Sequence, residues 1–314
     1  MKNKPSISVV IPVLNEEGSL TKLYKELVQA LNSYPEWEII FIDDGSKDNS
    51  VEIIRSFIQS NNNIKLIKFH KNYGKADALH EGFKIAQYSV VITMDADLQD
   101  DPNEIDNLVM KIHEGWDMVS GWKKDRHDPL EKRLPSKIFN KITRLFTGVK
   151  IHDFNCGLKA YRLEVIKSID IFGGRHRYIP ALAKQQGFSI TEIVVNHRPR
   201  LHGETKYGSS RYFHGFFDLL TISFMGKYYD NPLHFFGLIG LILSLIGGGI
   251  ITYLSLGWFA GIPIGNRPLF FIGILSMILG VQFFSIGLLG EIIIKSRRGS
   301  LNKINCIEHK ILEK

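Results

Sequence analysis

The hydrophobic residues of the first 120 positions form short runs, and amphipathic segments separate them. The runs are rich in Val and Ile, as buried strands are, and they are ISVVIPV at 7–13, EIIFID at 38–43, IKLIK at 64–68 and VVITMD at 90–95. Helical spacing of apolar residues follows each run. The predicted helices cover 16–31, the segment that follows the turn after the second strand and ends at about 59, then 74–86 and 102–114. This alternation predicts an α/β fold with a mostly parallel sheet covered by helices on both faces.

The C-terminal part of the chain has a different pattern. Residues 233–256 and 269–290, which are 24 and 22 residues long, contain no Lys, Arg, Asp or Glu. At about 1.5 Å per residue, each would form a helix of roughly 33–36 Å, long enough to cross a hydrocarbon core of about 30 Å. Two such segments in succession predict two transmembrane helices rather than two core helices. The aromatic, amphipathic stretch at 210–229 predicts interfacial helices before them.

The basic residues around the two spans predict their orientation. Lys206, Arg211 and Lys227 precede the first span, basic residues follow the second, and the connector carries only Arg267. Because cytoplasmic flanks are enriched in Lys and Arg, both termini are expected in the cytoplasm, with the spans in a bacterial-type inner membrane. The predicted domains are a cytoplasmic catalytic domain at 1–208, juxtamembrane helices at 209–232, two transmembrane helices with a short extracytoplasmic connector at 233–290 and a cytoplasmic tail at 291–314.

The net charge and the cysteines narrow the class of partner. The chain carries a formal net charge of +7, and together with the spans this predicts contact with anionic lipid and phosphate. No basic stripe with interleaved aromatic residues precedes the spans, so nucleic acid is not expected as a partner. Cys156 and Cys306 both fall on the reducing side of the membrane, so no disulfide is expected.

Polar residues gather at the ends of three predicted strands. Asn15 and Glu16 follow the first strand, Asp43 and Asp44 close the second, and Asp95 begins an acidic stretch after the fourth. In parallel α/β sheets ligands bind beyond the carboxyl ends of the strands, so all three groups are expected on one ligand-binding edge. The Asp-Gly sequence after the second strand is also typical of an ordinary turn before a helix. Neither GxGxxG nor GxxxxGK[ST] occurs, so these two phosphate-binding loops are not supported.

The acidic stretch MDADLQDDP holds four carboxylates within seven residues. Asp95 and Asp97 are two residues apart at a strand end, so their side chains are expected to point the same way. Two such oxygen ligands with open coordination positions suit Mg²⁺ or Mn²⁺ shared with substrate phosphates. Asp101 and Glu104, on either side of Pro-Asn, instead have the pattern of a helix capping box. Asp100 fits either a cap or the outer shell of the metal.

Five motifs occur in the order in which one known family has them. They are IPVLNEE, FIDDGSKD, TMDADLQDDP, DFNCGLKAYR and HGETKYG. Together they resemble the family 2 glycosyltransferases of the GT-A fold, and within them the membrane-anchored polyprenyl-phosphate glycosyltransferases related to dolichol-phosphate mannose synthase. The resemblance covers residues 6 to about 235, and two C-terminal spans also occur in that group. It implies a GT-A sheet and an inverting, metal-dependent hexosyltransferase.

The resemblance also implies roles for the residues that match the family motifs. Those implied to bind the nucleotide-sugar are Pro12, Asn15, Glu16, Asp43, Asp44 and Lys75. Those implied to surround an Mg²⁺ or Mn²⁺ ion are Asp95, Asp97 and Gln99. Those implied to act in catalysis are Asp153, Arg126, Arg133 and Lys206, with Asp153 expected to position the substrates rather than to act as an essential base. Gly174 departs from the pattern, because relatives often carry an acid before the following His-Arg pair.

The expected function is transfer of a sugar from a UDP- or GDP-linked donor to a polyprenyl phosphate such as undecaprenyl phosphate. The product would be a lipid-linked sugar donor for cell-envelope glycosylation. A transferase acting on another lipid or on a lipid-diphosphate saccharide is an alternative. A processive synthase is disfavoured because the chain lacks a QxxRW motif, and an inactive scaffold for a flippase is disfavoured by the intact Asp95 and Asp97. Expected partners also include the lipid bilayer, a flippase, and a second copy of the chain through small-xxx-small spacings in the spans.

Overall fold

The computed structural model describes residues 4–124, 140–145, 147–169, 171, 175–198, 232–264 and 268–300. The chain divides into two compact units, Met1–Ser223 and Phe224–Lys314. Within the described residues, the first unit contains a sheet with its helices, and the second contains two long helices.

The first unit is built on a seven-stranded sheet with the order β3-β2-β1-β4-β6-β5-β7. Its strands are β1 Ile7–Val13, β2 Trp37–Asp43, β3 Ile64–Lys68, β4 Val90–Thr93, β5 Met118–Trp122, β6 Lys159–Arg162 and β7 Ile190–Val194. Strand β6 runs antiparallel to both of its neighbours, and the other pairs are parallel. The predicted mostly parallel sheet is therefore confirmed.

Helices cover both faces of this sheet because each carries one apolar stripe. They are α1 Glu17–Leu31, α2 Ser50–Ser60, α3 Lys75–Ile85, α4 Ile105–His113, α5 Leu163–Ser168 and α6 Ile179–Gln185. In α1 the buried leucines Leu20, Leu23, Leu27 and Leu31 recur every three or four residues, as a helix that packs on a core requires. One core cluster joins α1, α2 and α4 to the sheet, and a second joins α3, α5 and α6 to the sheet.

Helix α3 lies unusually close to the sheet, and this closeness matters for the site. A Cβ atom on Gly82 would lie 2.4 Å from Val10 Cγ1 and 2.8 Å from Ile42 Cδ1. Both distances are shorter than any Cβ contact allows, so a larger residue would push the helix away. The absence of a side chain at Gly82 lets α3 pack directly over β1 and β2, with its first residue, Lys75, at the carboxyl edge.

The second unit contains α7 Pro232–Phe259 and α8 Pro268–Ser300. By length and composition, both are apolar enough to cross a membrane, and only 17% and 11% of their most apolar windows are buried. Such exposure is opposite to that of a soluble core helix. A Cβ on Gly240 would lie 2.6 Å from the Gly280 carbonyl oxygen, and one on Gly247 would lie 2.7 Å from that of Gly273. These small residues let the two helices pack backbone against backbone.

The structure changes some of the predicted element boundaries. Strand β4 ends at Thr93 rather than at residue 95. The helix predicted from residue 102 begins with a 3₁₀ turn, Pro102–Glu104, before α4. Residues 140–145 are also helical. The interfacial helices predicted over 210–229 lie outside the described residues.

Candidate active site

Asn15 links the loops that follow β1 and β2. Its φ of 51° is in the left-handed region, which Asn tolerates better than most residues. Its amide donates to Ser46 Oγ at 2.9 Å, and its Oδ1 accepts from the Lys47 amide at 2.7 Å. The next amide, that of Glu16, donates to Ser50 Oγ at 2.9 Å. The two loops are thus bound together, and Asn15 is exposed at their junction.

Asp43 is the last residue of β2 and Asp44 follows it, and both are buried. The Asp43 carboxylate accepts from the Ser46 amide at 3.3 Å. The two oxygens of Asp44 accept from the amides of Tyr73 at 2.7 Å and Gly74 at 2.9 Å. Burial, with smaller contributions from the charges of Asp43 and Asp77, raises the pKa of Asp44 despite the lowering effect of these two backbone hydrogen bonds. Asp44 therefore holds the loop before α3 against the end of β2.

That loop leads into α3, where the ammonium of Lys75 pairs with the carboxylate of Asp95. Burial alone would raise the pKa of Asp95 and lower that of Lys75. The attraction within the pair, with a further contribution from Lys123, instead lowers the pKa of Asp95 to about 2. The charge of Asp95, with a smaller contribution from Asp100, leaves the pKa of Lys75 raised. Gly157 packs against the same carboxylate, because a Cβ there would lie 2.6 Å from Asp95 Cγ. Asp95 is therefore ionised and held between a cation and a backbone segment.

Asp97 lies in the turn that follows β4. In this turn Leu98 has a φ of 63° although it is not a glycine, and its side chain is 2% exposed. A left-handed leucine is strained, and burial of its side chain in the core holds it in that conformation. The Gln99 amide donates to Asp97 Oδ1 at 3.2 Å. Asp95 and Asp97 therefore lie in a turn and not in a strand, so the strand alternation used to align their side chains does not apply.

Asp100, whose role the sequence left open, forms a buried ion pair beside this turn. Its Oδ1 lies 2.8 Å from Lys123 Nζ, and the two side chains are 0% and 11% exposed. Its Oδ2 accepts from the Asp95 amide at 3.3 Å. Burial alone would lower the pKa of Lys123, but the charge of Asp100 raises it. Asp100 thus supports the turn from its core side.

Asp101 caps the 3₁₀ turn that precedes α4, as predicted. Its Oδ1 accepts from the Asn103 amide at 3.1 Å and lies 2.7 Å from Arg198 Nη2. Arg198 also pairs with Glu26 on α1 at 2.5 Å. The second hydrogen bond of the predicted capping box, from the Asp101 amide to the Glu104 side chain, is wrong. The two oxygens of Glu104 accept instead from the Asn107 side chain at 2.8 Å and from the Asn196 amide at 3.2 Å.

Asp153 is buried in the loop before β6. Its Oδ1 accepts from the Asn155 amide at 3.0 Å. The residue before it, His152, donates its amide to Glu192 Oε2 at 2.6 Å and pairs its ring with the other oxygen of Glu192. The His152 ring also stacks on Trp122, with the ring centroids 4.2 Å apart. The loop that carries Asp153 is thus fixed to both β5 and β7.

A cleft opens beside the end of β4, the start of α3 and the start of β6. Lys75 and Asp95 line it, and so do Lys159, His176 and Arg177, which sequence reasoning did not place in the site. Lys159 lies within the motif DFNCGLKAYR, and its place in that motif was the available signal. His176 and Arg177 form the His-Arg pair after Gly174.

The structure brings most of the predicted site residues to one edge of the sheet. Pro12, Lys75 and Asp95 line the cleft. The residues that the sequence predicts to bind the nucleotide, Asn15, Glu16, Asp43 and Asp44, lie at the ends of β1 and β2 and in the loops that follow them. Those that lie outside the described residues are Arg126, Arg133 and Lys206.

The donor atoms at this edge allow one kind of metal site. Among the described residues, no group of three or more His, Cys, Asp or Glu side chains is arranged to hold a metal ion. Asp95 and Asp97 supply carboxylate oxygens in one short turn, and Lys75 already pairs with one of them. Such a set fits an oxygen-seeking ion that takes its other ligands from substrate phosphates and water. It does not form a closed protein cage.

The sheet order and this carboxyl edge define the class of the protein, which has the GT-A type of nucleotide-sugar transferase fold. One similar structure is glucosyl-3-phosphoglycerate synthase from Mycobacterium tuberculosis, determined with Mn²⁺, UDP-glucose and phosphoglyceric acid. It has a TM-score of 0.54 and 18% identity, over 70% of this chain and 80% of that one. Mannosyl-3-phosphoglycerate synthase from Rubrobacter xylanophilus also has a TM-score of 0.54, at 14% identity, over 71% and 75% of the two chains. At these identities the likeness shows the fold alone.

Sequence comparison identifies the family. Residues 8–170 match glycosyl transferase family 2, and the chain belongs to that family. It is 36% identical to dodecaprenyl-phosphate galacturonate synthase from Rhizobium johnstonii, over 92% of this chain and 88% of that protein. It is 38% identical to undecaprenyl-phosphate 4-deoxy-4-formamido-L-arabinose transferase from Shewanella sediminis, over 93% and 88% of the two chains. The sequence-based recognition of the family and of its polyprenyl-phosphate group is confirmed.

Proposed function

We propose that the protein transfers a sugar from a nucleotide-sugar to a polyprenyl phosphate at a membrane surface, with inversion at the anomeric carbon. The similarity to two polyprenyl-phosphate sugar transferases carries the proposal, because it extends over more than nine tenths of this chain. The alignments leave out at most 8% of the chain, so they extend into the unit that contains the two apolar helices. The shared sequence therefore includes both a catalytic unit and a membrane segment.

The carboxylate turn and Lys75 would receive the donor diphosphate. Asp95 and Asp97 would hold Mg²⁺ or Mn²⁺ between them and the phosphates, with Gln99 next to them in the same turn. The bound ion would supply electrostatic stabilisation of the leaving nucleoside diphosphate. Lys75, whose pKa is raised by the attraction of its Asp95 partner, would add a second positive charge at the same place. Asn15, Glu16 and the loops around them would bind the nucleoside.

The acceptor needs little help from a base. A phosphate monoester has its second pKa near 6, so its oxygens are largely ionised at neutral pH. Asp153 therefore acts as a positioning residue, which suits its buried carboxylate and its hydrogen bond to the Asn155 amide. Arg126, Arg133 and Lys206 would screen the repulsion between the acceptor phosphate and the donor diphosphate as these approach each other.

The two apolar helices would place this reaction at a membrane. Their exposed apolar surfaces match a lipid environment. The basic residues that flank them in the sequence favour a cytoplasmic position for the catalytic unit and for both termini.

The direct test supplies both substrates and identifies the lipid product. Membranes that contain the full chain would be incubated with a panel of UDP- and GDP-sugars, undecaprenyl phosphate and Mn²⁺, and the lipids would be analysed by mass spectrometry. The expected product is undecaprenyl phosphate carrying one sugar. Undecaprenol, which lacks the phosphate, is the matched acceptor and should give no product. A sugar attached to undecaprenol or to a lipid-diphosphate saccharide, or no lipid product with any donor, would contradict the proposal.

A further inference from the structure

Lys159 occupies a buried position in the wall of the cleft. It begins β6, where its Cα is paired with that of Thr93 at the end of β4. Its side chain lines the cleft together with Lys75 and Asp95, yet Lys159 is only 4% exposed. A lysine so deeply buried is rare unless its charge has a partner.

The partner that such a charge requires is missing from the described part of the chain. Lys75 pairs with Asp95 and Lys123 with Asp100, whereas no salt bridge joins Lys159 to a described carboxylate. Its ammonium donates to the Cys156 carbonyl, which uses one of its three hydrogens. Burial, the largest effect, lowers the pKa of Lys159 despite the opposite influence of Cys156 and Asp153. The chain therefore keeps a buried cation that its described residues only partly satisfy.

A second incompletely paired polar group, the imidazole of His176, lies in the same cleft. His176 Nδ1 is buried and has no hydrogen-bond partner among the described residues. Burial, together with the charges of Lys75 and Arg177, lowers the pKa of His176 well below its usual value, so its imidazole is neutral at pH 7. A neutral imidazole can donate one hydrogen bond beside an ammonium without adding a further charge. Both groups are therefore available to one ligand that brings acceptor atoms.

We propose that Lys159 and His176 form an oxyanion-binding position in the cleft, separate from the position of the donor diphosphate at Asp95 and Asp97. The inference rests on the proposed function, because that reaction supplies two suitable oxyanions. One is a carboxylate on the donor sugar, and the other is the phosphate of the lipid acceptor. In both cases, the ligand would complete the hydrogen bonds of Lys159 and compensate its charge.

The test compares ligands that differ only in the oxyanion. Binding to the purified full chain in detergent, with Mn²⁺, would be measured for UDP-galacturonic acid against UDP-galactose, and for undecaprenyl phosphate against undecaprenol. The wild-type chain should prefer the oxyanion in at least one pair, and Lys159→Met should reduce that preference by about tenfold or more. Loss in the first pair assigns a sugar carboxylate, and loss in the second assigns the lipid phosphate. Lys159→Arg keeps the charge and should retain most of the preference.

The thermal midpoint of Lys159→Met distinguishes a lysine kept for ligand binding from one that only stabilises the fold. Because Lys159→Met removes a buried, unpaired charge at similar volume, its thermal midpoint should equal or exceed that of the wild type. Lys65→Met is the matched control. It removes the 2.6 Å partner of Glu38, which is 4% exposed, so it should lower the midpoint and leave both ligand preferences unchanged.

Three results would overturn the inference. The first is equal preference in the wild type and Lys159→Met. The second is a parallel loss of affinity for UDP itself, which would place Lys159 at the diphosphate. The third is destabilisation by Lys159→Met with ligand preference intact, which would make the lysine a structural donor to Cys156. These binding results do not depend on turnover, so they fail or succeed separately from the search for a lipid product.

Discussion

The two halves of the stretch 95–104 use the same residue type in opposite ways. Asp95 retains 30% exposure of its side chain at the cleft, and Asp97 is also partly exposed. Asp100 and Asp101 have side chains that are 0% and 11% exposed. Their oxygens are occupied by an amide, a lysine or an arginine of the protein. The first half can still bind a ligand, whereas the second half holds the backbone that presents it.

Exposure at the cleft, rather than residue type or possession of a partner, separates the two halves, because Asp95 also pairs with Lys75 and Asp97 also accepts from the Gln99 amide. Asp95 and Asp97 form the proposed binding half, and Asp100 and Asp101 form the supporting half. The left-handed Leu98 lies between the two halves and needs support from both its buried side chain and the surrounding turn. The Asp100 carboxylate contacts the Asp95 amide directly, so the supporting half reaches the binding half through one hydrogen bond. Substitutions in the two halves should therefore affect different measurements.

The largest effect on activity is expected in the binding half. Asp97→Ala should lower sugar transfer by roughly 10²–10³-fold or more, because the leaving diphosphate loses its electrostatic stabilisation. Membrane insertion and the thermal midpoint should not change, since Asp97 is partly exposed. The loss of activity is measured as transfer of radiolabelled sugar to undecaprenyl phosphate. Glu52→Gln on α2, which changes an exposed carboxylate, is the control. A variant with near-wild-type transfer would rule out the metal assignment.

The largest effect on stability is expected in the supporting half. Asp100→Asn leaves the Lys123 ammonium buried without a charged partner, and removing one member of a buried pair costs about 3–5 kcal/mol of unfolding free energy. Transfer should fall by roughly tenfold, an order-of-magnitude expectation for a displaced binding group. The thermal midpoint of the purified chain in detergent and the transfer rate check the two effects.

A double variant separates the effect of the Asp100–Lys123 ion pair on stability from the effect of the hydrogen bond between Asp100 and the Asp95 amide on transfer. Asp100→Asn with Lys123→Met removes both charges, so it should recover part of the stability that Asp100→Asn alone loses. Transfer should stay low if the charge on Asp100 is what holds the Asp95 amide. If the double variant is no more stable than Asp100→Asn, the pair does not contribute as the structure suggests.

The sequence predicted the sheet and its ligand edge because those features depend on local patterns. The Val and Ile runs define β1 to β4, and the polar residues at their ends converge wherever parallel strands share an edge. The position of β6 between β4 and β5 could not be predicted in this way. Strand order depends on pairing between distant segments, and the short run in Lys159–Arg162 carries no local mark of its neighbours.

The site was only partly predictable for the same reason. The pattern at 95–104 distinguished Asp97 from Asp101, but it could not show that Asp100 meets Lys123 or that Lys159 is buried without a carboxylate. These facts depend on which side chains the fold brings together across strands. The capping box failed similarly, since the Asn196 amide, far along the chain, takes the Glu104 oxygen that a local rule assigned to Asp101.

A smaller loss is expected at the helix cap. Asp101→Ala removes the acceptor for the Asn103 amide and a partner of Arg198, so it should destabilise the first unit by about 1–2 kcal/mol. Transfer should change less than with Asp100→Asn, because Asp101 contacts Asn103, Asn196 and Arg198, whereas Asp100 accepts directly from the Asp95 amide. Asp101→Asn keeps an oxygen acceptor for the cap and should lose less stability. Equal loss in both variants would assign the effect to Arg198 instead of the cap.

The smallest effect is expected at Glu104, and it tests whether the capping box exists in solution. Its oxygens accept from the Asn107 side chain and the Asn196 amide, and glutamine can accept one hydrogen bond through its own oxygen. Glu104→Gln should therefore change the unfolding free energy by no more than about 0.5 kcal/mol, as for most surface substitutions. Glu104→Ala should cost more, because the Asn196 amide then loses its acceptor. A capping box forms with either Glu or Gln, so the stabilities of the two variants do not by themselves show whether the box is present. Chemical denaturation of both variants should therefore be combined with hydrogen exchange measured at the Asp101 amide. Fast exchange of the Asp101 amide in the wild type supports the contacts described. Slow exchange in the wild type that becomes faster in Glu104→Ala would show that the Asp101 amide donates to Glu104 and that the capping box forms in solution.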